Sequence, residues 1–360
     1  MKVGIVGLPN VGKSTLFNAL TRAGAEAENY PFTTVDPNVG VAAVPDERLE
    51  RLAAAVGGVR PVPATVEFVD IAGLVEGASK GEGLGNRFLA HIRECDAVAH
   101  VVRCFEDENV AHVRGGIDPV GDAGTVNTEL LLADLATVER RLEQALRAAK
   151  SGDPKRRAEA EALRRLRDHL AGGEPARTFP EAGGVEEVLR TLLTAKPTLY
   201  VANVDEDSVA AGNGYSAAVE ELAAGEGAEA VRLCARLAAE LADLPPDEAR
   251  EYLGVLGAEG TGFEEFVRAA YRLLGLITFF TFNEKECRAW TVRRGATARE
   301  AAGRIHTDME RGFVAAEIGR WEDIVEAGSW ARAREEAKVR REGRDYVVRD
   351  GDVMLVRFNV

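Results

Sequence analysis

Gly7-Leu8-Pro9-Asn10-Val11-Gly12-Lys13-Ser14 is the stretch on which the reading of the fold turns. The residues before it, Lys2-Val3-Gly4-Ile5-Val6, have the length and apolar character of a buried strand. After it, Leu16, Phe17 and Leu20 recur at helical spacing and predict a helix over 14–22. Glycines flanking a Lys-Ser pair between a strand and a helix fit the pattern GxxxxGK[ST] in the context it requires. Glycines let the backbone curl so that successive N–H groups point inward, and the helix N-terminus adds positive potential at the same point. A polyphosphate suits such a cradle. Asn10, Val11, Gly12, Lys13, Ser14 and Thr15 are its candidate contacts. Lys13 would bridge the β- and γ-phosphates and so act in catalysis, while Ser14 would ligate Mg²⁺.

Further along, the apolar run 66–69 ends in Asp70-Ile71-Ala72-Gly73. An Asp at a strand's carboxyl edge beside a phosphate loop can hold Mg²⁺, usually through water, and Gly73 lets a main-chain N–H approach the γ-phosphate. Between the first helix and the next strand lies Asn29-Tyr30-Pro31-Phe32-Thr33-Thr34, where a switch loop would supply a hydroxyl to the same metal. Thr33 and Thr34 both qualify chemically.

A chain of 360 residues is long for one core. Strand patterns at 2–6, 39–44, 66–71 and 97–103, with helices at 14–22 and 46–56, alternate as in an α/β domain. From 128 to 150 the rhythm changes, with Leu131, Leu135, Val138, Leu142 and Ala145 at steps of three and four. Ser151-Gly152-Asp153-Pro154 breaks this helix, and Ala160, Leu163, Leu166 and Leu170 resume it. Two narrow apolar stripes joined by such a turn predict an antiparallel hairpin or coiled coil, inserted over 128–193 with a third helix at 185–193. Strands return at 198–202 and 230–234, and a helix at 263–274. The expected nucleotide domain therefore comprises 1–127 and 194–275. Residues 276–360 form a separate α+β unit, with strands 277–282 and 288–292, a helix 298–309, and a closing hairpin of 345–348 and 353–360 around Asp350-Gly351.

Composition narrows the function classes. Hydrophobic residues make up 46% and charged residues 29%, the balance of a globular chain. The longest apolar run, 273–282, falls well short of the roughly 18 residues of a membrane span. Cys95, Cys104, Cys234 and Cys287 show neither zinc spacing nor the density of a disulfide framework, which points to a reduced, cytoplasmic protein. The net charge of −14 argues against DNA binding through the overall field. Two stretches run against it, 140–167 and 332–344.

The base-reading segment is Asn203-Val204-Asp205-Glu206, after the strand 198–202. GTPases of the ordinary kind read guanine with Asn-Lys-x-Asp, whose Asp accepts from N1–H and the N2 amino group. Here Val204 removes the lysine and Glu206 sets the carboxylate one methylene further out. Adenine offers a lone pair at N1, which a carboxylate held there would repel. Asn203 has the chemistry to pair with the adenine N6–H and N7 edge. Leu74 stands where many such switches place a water-orienting Gln. His112, in the polar loop 106–116, can accept a proton from water or orient it. Asn10 offers an amide oxygen that could help place a monovalent cation such as K⁺ against the phosphates.

Gly7 to Thr15, Pro31-Phe32-Thr33-Thr34 and the glycine-rich 70–86 together resemble the Obg-like ATPase (YchF) family of the translation-factor-related P-loop GTPases. The resemblance covers the whole chain. It implies a P-loop NTPase domain with an inserted helical hairpin and a C-terminal TGS domain, a β-grasp-like unit. It also implies that Thr34 is the Mg²⁺-binding threonine, that Asn-x-x-Glu prefers ATP over GTP, and that Cys234-Ala235 is the last base-contact motif. The context Phe105-Glu106-Asp107-Glu108-Asn109-Val110-Ala111-His112 matches the family's catalytic histidine. Binding to the ribosome, on its large subunit, is implied through the insertion and the TGS unit. A GTP-specific regulatory GTPase and a nucleotide-gated adaptor with incidental hydrolysis are the competing readings.

Overall fold

The structure is a computed structural model and describes residues 1–25, 38–71, 84–107, 116–180 and 183–359. Its strands, in chain order, are β1 (Lys2–Val6), β2 (Val39–Ala43), β3 (Arg60–Val62), β4 (Thr65–Asp70), β5 (Ala97–Cys104), β6 (Thr198–Val204), β7 (Glu229–Leu233), β8 (Leu276–Phe282), β9 (Glu286–Arg293), β10 (Phe313–Arg320), β11 (Val339–Glu342) and β12 (Asp352–Phe358). The helices that matter below are α1 (Lys13–Ala25), α2 (Glu47–Ala55), α3 (Leu84–Glu94), α4 (Pro119–Ala149) and α5 (Pro154–Ala171). The chain divides into two compact units, Met1–Val41 with Glu67–Ala270, and Ala42–Val66 with Tyr271–Val360.

The first unit carries a six-stranded sheet in the order β2-β4-β1-β5-β6-β7. β1 pairs in parallel with both β4 and β5, and β5-β6-β7 continue in parallel. β5 and β6 are buried along their whole length, as strands covered on both faces must be, and both are accordingly near-continuous apolar runs. The register sets Ile5 beside Asp70, so the carboxyl ends of β1 and β4 lie at one edge. The chain runs from β1 to β2 and β4 on one side of it and then crosses to β5, β6 and β7 on the other, so the strand order reverses beside β1. Ligands of open α/β sheets bind at such a switch point.

The helical hairpin is present. Val138, Leu142 and Ala145 of α4 share a buried cluster with Ala160, Leu163, Leu166 and Leu170 of α5. Its first helix, however, begins at Pro119 rather than at 128. Asp118 caps it by accepting from the N–H of Gly121 at 3.0 Å, and Pro119 occupies the first turn, where no donor is missed. Its early turns bury Ala123 in the core of the sheet. Glycines at 121 and 124 hid this start, because the apolar rhythm is weak there. The chain returns through Leu193 and Thr194, whose N–H groups donate to Asp134 at 2.8 and 2.7 Å, with the Thr194 hydroxyl also donating at 2.7 Å. Burial pushes the Asp134 carboxyl up despite these three donors, which pull the other way. The helix expected over 185–193 is only Glu186–Leu189.

In the second unit the sheet order is β11-β10-β12-β8-β9-β3. β8 and β9 form an antiparallel hairpin, and β12 returns parallel to β8 and antiparallel to β10. The helix Ala298–Ile305 lies between the two halves in sequence, opened by a capping box of Thr297 and Glu300. Two outer hairpin strands, a crossing helix and a last strand laid parallel to the first give a β-grasp arrangement. The expected closing hairpin is corrected: β12 pairs with β10, and residue 347 makes only an isolated bridge to Thr297. Phe313–Arg320, the true partner, is poor in β-branched residues and was not recognised as a strand. The helix expected over 298–309 breaks at His306, whose extended backbone (φ −161°) caps the short helix that follows.

Residues 42–66 were expected within the nucleotide domain but belong to this second unit. β3 pairs in parallel with β9, and α2 packs against β9 and the helix Trp321–Ala327. Arg48 Nη1 donates to Asp350 Oδ2 at 2.7 Å, while Asp350 Oδ1 accepts from the N–H of Thr278 at 2.9 Å. No helix among the described residues is long and apolar enough to cross a membrane.

Candidate nucleotide site

Six residues, 7–12, separate the end of β1 from α1, and their backbone is unusual at three of them. Gly7 lies at φ 151°, Asn10 at 63° and Gly12 at 97°. Asn is among the few side chains that tolerate the left-handed region. Added methyls at the glycines would collide, at Gly7 with the carbonyl of Val101 and at Gly12 with the amide of Asn203. Val11 is buried, and Ser14 is exposed on the first turn of α1. Lys13 is 7% exposed, and its Nζ donates to the carbonyl of Leu8 at 2.6 Å. Burial pulls its pKa down to about 8, against the attraction of Asp70. Burial likewise raises the Asp70 carboxyl, with Lys13 opposing. A hydroxyl and a carboxylate at one sheet edge are the hard oxygen donors that Mg²⁺ takes.

Behind the loop lies a cleft of about 400 Å³ whose lining includes Gly12, Thr15, Phe105, Asn203, Val204, Glu206, Cys234, Ala235 and Arg236. The structure thus brings the predicted base residues together with the phosphate loop. Asn203, 4% exposed, donates from Nδ2 to the carbonyl of Val11 at 2.9 Å and accepts through Oδ1 from the N–H of Ala235 at 3.0 Å. Both ends of the amide thus already serve the protein, beside the expected pairing with the adenine N6–H and N7 edge. One lone pair of Oδ1 is taken by the protein, and one N–H remains, a donor that suits N7 of any purine and so does not discriminate. Val204 is 2% exposed and belongs to the hydrophobic core. Cys234 is the N-cap of the helix Ala235–Leu241, its sulfur accepting from the N–H of Leu237 at 3.5 Å.

Glu206 does not stand free in the cleft. Its Oε1 lies 3.2 Å from Arg236 Nη2, and its Oε2 accepts from the hydroxyl of Tyr252 at 3.2 Å. Sequence reasoning missed both partners. Arg236 directly follows Cys234-Ala235 and was there to be read, whereas nothing in the sequence ties Tyr252 to Glu206. Arg103 was also missed. Buried in β5, it donates to the carbonyls of Phe105 (3.1 Å) and Asp107 (3.2 Å) and stacks over the Phe105 ring, shaping one wall of the cleft. Thr34, Gly73 and His112 lie outside the described residues.

A left-handed glycine loop at the switch point of a parallel sheet, backed by an asparagine that ties it to the next loop, is the arrangement of a P-loop nucleoside-triphosphatase domain of the GTPase type. Residues 2–151 match the profile of a family described as 50S ribosome-binding GTPase, and residues 276–359 match the YchF-GTPase C-terminal family, described as of unknown function. The ribosome-binding ATPase YchF of Bacillus subtilis is 50% identical over 364 residues, covering 100% of both chains. That of Haemophilus influenzae is 52% identical, covering 100% of this chain and 99% of its own. This chain belongs to the YchF family. The structure of the Schizosaccharomyces pombe YchF GTPase superposes with a TM-score of 0.88 at 34% identity, covering 99% of this chain and 97% of that one.

Proposed function

We propose that this protein is a Mg²⁺-dependent ATPase of the cytoplasm that hydrolyses ATP to ADP and phosphate and acts as a nucleotide switch on the large ribosomal subunit. The observation that carries the ATP reading is the engagement of Glu206 by Arg236 and Tyr252, which holds the carboxylate a guanine would need and offsets its charge. Its relatives are named ribosome-binding ATPases, which supports the same reading.

Ser14, Asp70 and Thr34 are the residues to hold Mg²⁺, the first two being oxygen donors at one edge of the sheet. The ion, when bound, neutralises charge on the β- and γ-phosphates. Main-chain N–H groups of 10–15 fix the phosphate tail, and that of Gly73 approaches the γ-phosphate. Lys13 must leave the Leu8 carbonyl to meet the phosphates, and as an ammonium it stabilises the negative charge that develops there. Leu74 has no group to orient water. His112 takes that role, accepting the proton of the attacking water. Asn10 helps to seat K⁺ beside the loop. His112→Ala should slow turnover and leave ATP affinity nearly intact.

For the ribosome, the insertion offers Arg140, Arg141, Arg147, Arg156, Arg157, Arg164 and Arg165, all exposed. Arg147 and Arg164 pair with the surface carboxylates Glu143 and Glu161, pairs weak enough to be exchanged for RNA phosphates. On the C-terminal unit Arg334 is committed to the buried Glu317, and Lys338 to Glu326 and Glu336. Arg332, Arg340, Arg341 and Arg344 of that unit are exposed, so both the insertion and the C-terminal unit offer basic faces.

Calorimetry of MgATP against MgGTP, with turnover measured with and without ribosomes, tests the proposal. Tighter ATP binding that EDTA abolishes, and turnover raised by ribosomes, are expected. Tighter GTP binding would replace the reading with that of an ordinary GTPase.

A further inference from the structure

The residues around the base cleft are markedly acidic, and one cation stands among them. Glu106, Asp107, Asp205, Glu206 and Asp207 line the cleft, with Arg236 as the one basic residue of the lining among the described residues. Arg236 sits in the first turn of the helix Ala235–Leu241, immediately beyond the Cys234-Ala235 loop that Asn203 anchors. Its guanidinium is held between two carboxylates, donating from Nε to Glu240 at 3.1 Å and lying 3.2 Å from Glu206 through Nη2. From another helix, Pro246–Val255, the Tyr252 hydroxyl donates to the second oxygen of Glu206 at 3.2 Å. Each oxygen of Glu206 therefore has its own protein partner, on two separate helices.

We propose that Arg236 and Tyr252 form a latch on Glu206 that sets the choice of purine. The latch deepens the ATP reading above and rests on it. With Glu206 latched, its charge is shared with Arg236 and each oxygen already accepts one bond, so the N1–H and N2 amino donors of guanine meet a weakened, held acceptor, and a buried donor poorly paired is costly. Adenine loses nothing by the same arrangement. Its N1 lone pair is spared an uncompensated carboxylate, because the guanidinium beside Glu206 balances the charge. Opening the latch reverses both effects: Glu206 becomes free to accept from guanine and to repel adenine N1. Arg236 and Tyr252 are positioning residues in this scheme. They act through Glu206 and need not touch the nucleotide.

Surface ion pairs contribute little to stability, and the Arg236 side chain is 69% exposed. The latch is thus a device of specificity, and its removal should leave the fold standing. The test measures dissociation constants of MgATP, MgGTP and MgITP, the last lacking the N2 amino group, for the full chain and for Arg236→Ala, Tyr252→Phe, Glu206→Ala and the double variant Arg236→Ala/Glu206→Ala. Arg236→Ala should shift the GTP-to-ATP affinity ratio towards GTP by roughly tenfold, the worth of one well-placed hydrogen bond. Tyr252→Phe should shift it in the same direction by less, and ITP should gain less than GTP. In the Glu206→Ala background the Arg236 substitution should leave the ratio unmoved, which a merely structural role for Arg236 would not predict. A parent chain that prefers ATP, with a ratio unchanged by Arg236→Ala, overturns the latch and leaves the ATPase reading in place. A parent chain that prefers GTP overturns both.

Discussion

The side-chain amide of Asn203 donates to the main-chain carbonyl of Val11 at 2.9 Å, joining residues 192 apart in sequence, and the same amide accepts from Ala235. One side chain thus ties the phosphate loop to the base loop. Asn203→Ala would leave a buried carbonyl and a buried N–H without partners, at about 1–3 kcal/mol each. Both loops should loosen together. Affinity for MgATP and MgGTP should fall by comparable factors, each of about tenfold or more, with their ratio preserved. A ratio that changes while ATP affinity holds would show instead that Asn203 reads the base.

Lys13 predicts a pH dependence of binding. Burial lowers its pKa to about 8, so the amine loses its proton just above neutrality, whereas phosphates need the ammonium. Below that pH the charged form is already present. Above it, binding must take up a proton, and affinity should fall with rising pH by up to about tenfold per unit. Calorimetry from about pH 7 to about pH 9.5, in two buffers of different ionisation enthalpy, would detect the proton uptake. A flat affinity with no uptake would show that Lys13 keeps its charge throughout.

The parts of this site that could be read from sequence are those that local chain geometry sets. Gly7, Gly12, Lys13 and Ser14 sit between a strand and a helix, and Asp70 ends its strand, so pattern alone placed them on one edge. Val204 and Glu206 could be seen to depart from a guanine-reading motif. The direction in which Glu206 is held could not, because Tyr252 comes from a helix with no motif of its own. The tie that Asn203 makes was hidden for a related reason: only the nearness of Val11 and Ala235 in the fold shows that its amide holds both loops. In the fold, α4 was placed too late because its first turns carry glycines and small residues. The placing of 42–66 with the second unit rests on long-range contacts such as β3 with β9 and Arg48 with Asp350, the latter across 302 residues, that no periodicity encodes.

Asp134 holds the return of the hairpin, and its loss should cost stability. It is 1% exposed and accepts from Leu193, Thr194 and the Thr194 hydroxyl. Asp134→Ala would strand three buried donors, for about 2–5 kcal/mol by urea denaturation. Asp134→Asn should cost less, since one oxygen still accepts. Its pH dependence runs opposite to that of a salt-bridged Asp. The folded pKa is raised by burial, so the folded state holds a proton that the unfolded chain has already released. This group's contribution therefore falls as pH rises through the interval above the ordinary carboxylate value, and acidification restores it. Equal stability of Asp134→Ala and the parent chain would remove the residue from this role.

The second unit should depend on residues 42–66 for its integrity. β3 covers the edge of β9, and α2 buries Leu49 and Leu52, each worth about 1.5–3 kcal/mol. Arg48 stacks over Phe280 and pairs with Asp350, and Arg51 stacks over Trp321. Residues 271–360 made alone would expose the edge of β9 and the apolar surface beneath α2, both liabilities for aggregation. Such a fragment should melt with poor cooperativity or associate. Joining 42–66 to it through a flexible linker should restore a sharp transition. In the full chain, Arg48→Ala removes charge-assisted bonds to Asp46 and Asp350 and should speed amide exchange in β8 and β12 by an amount corresponding to about 1–3 kcal/mol. A fragment 271–360 that melts cooperatively without 42–66, at the same temperature as the linked form, would show that the C-terminal strands are sufficient by themselves.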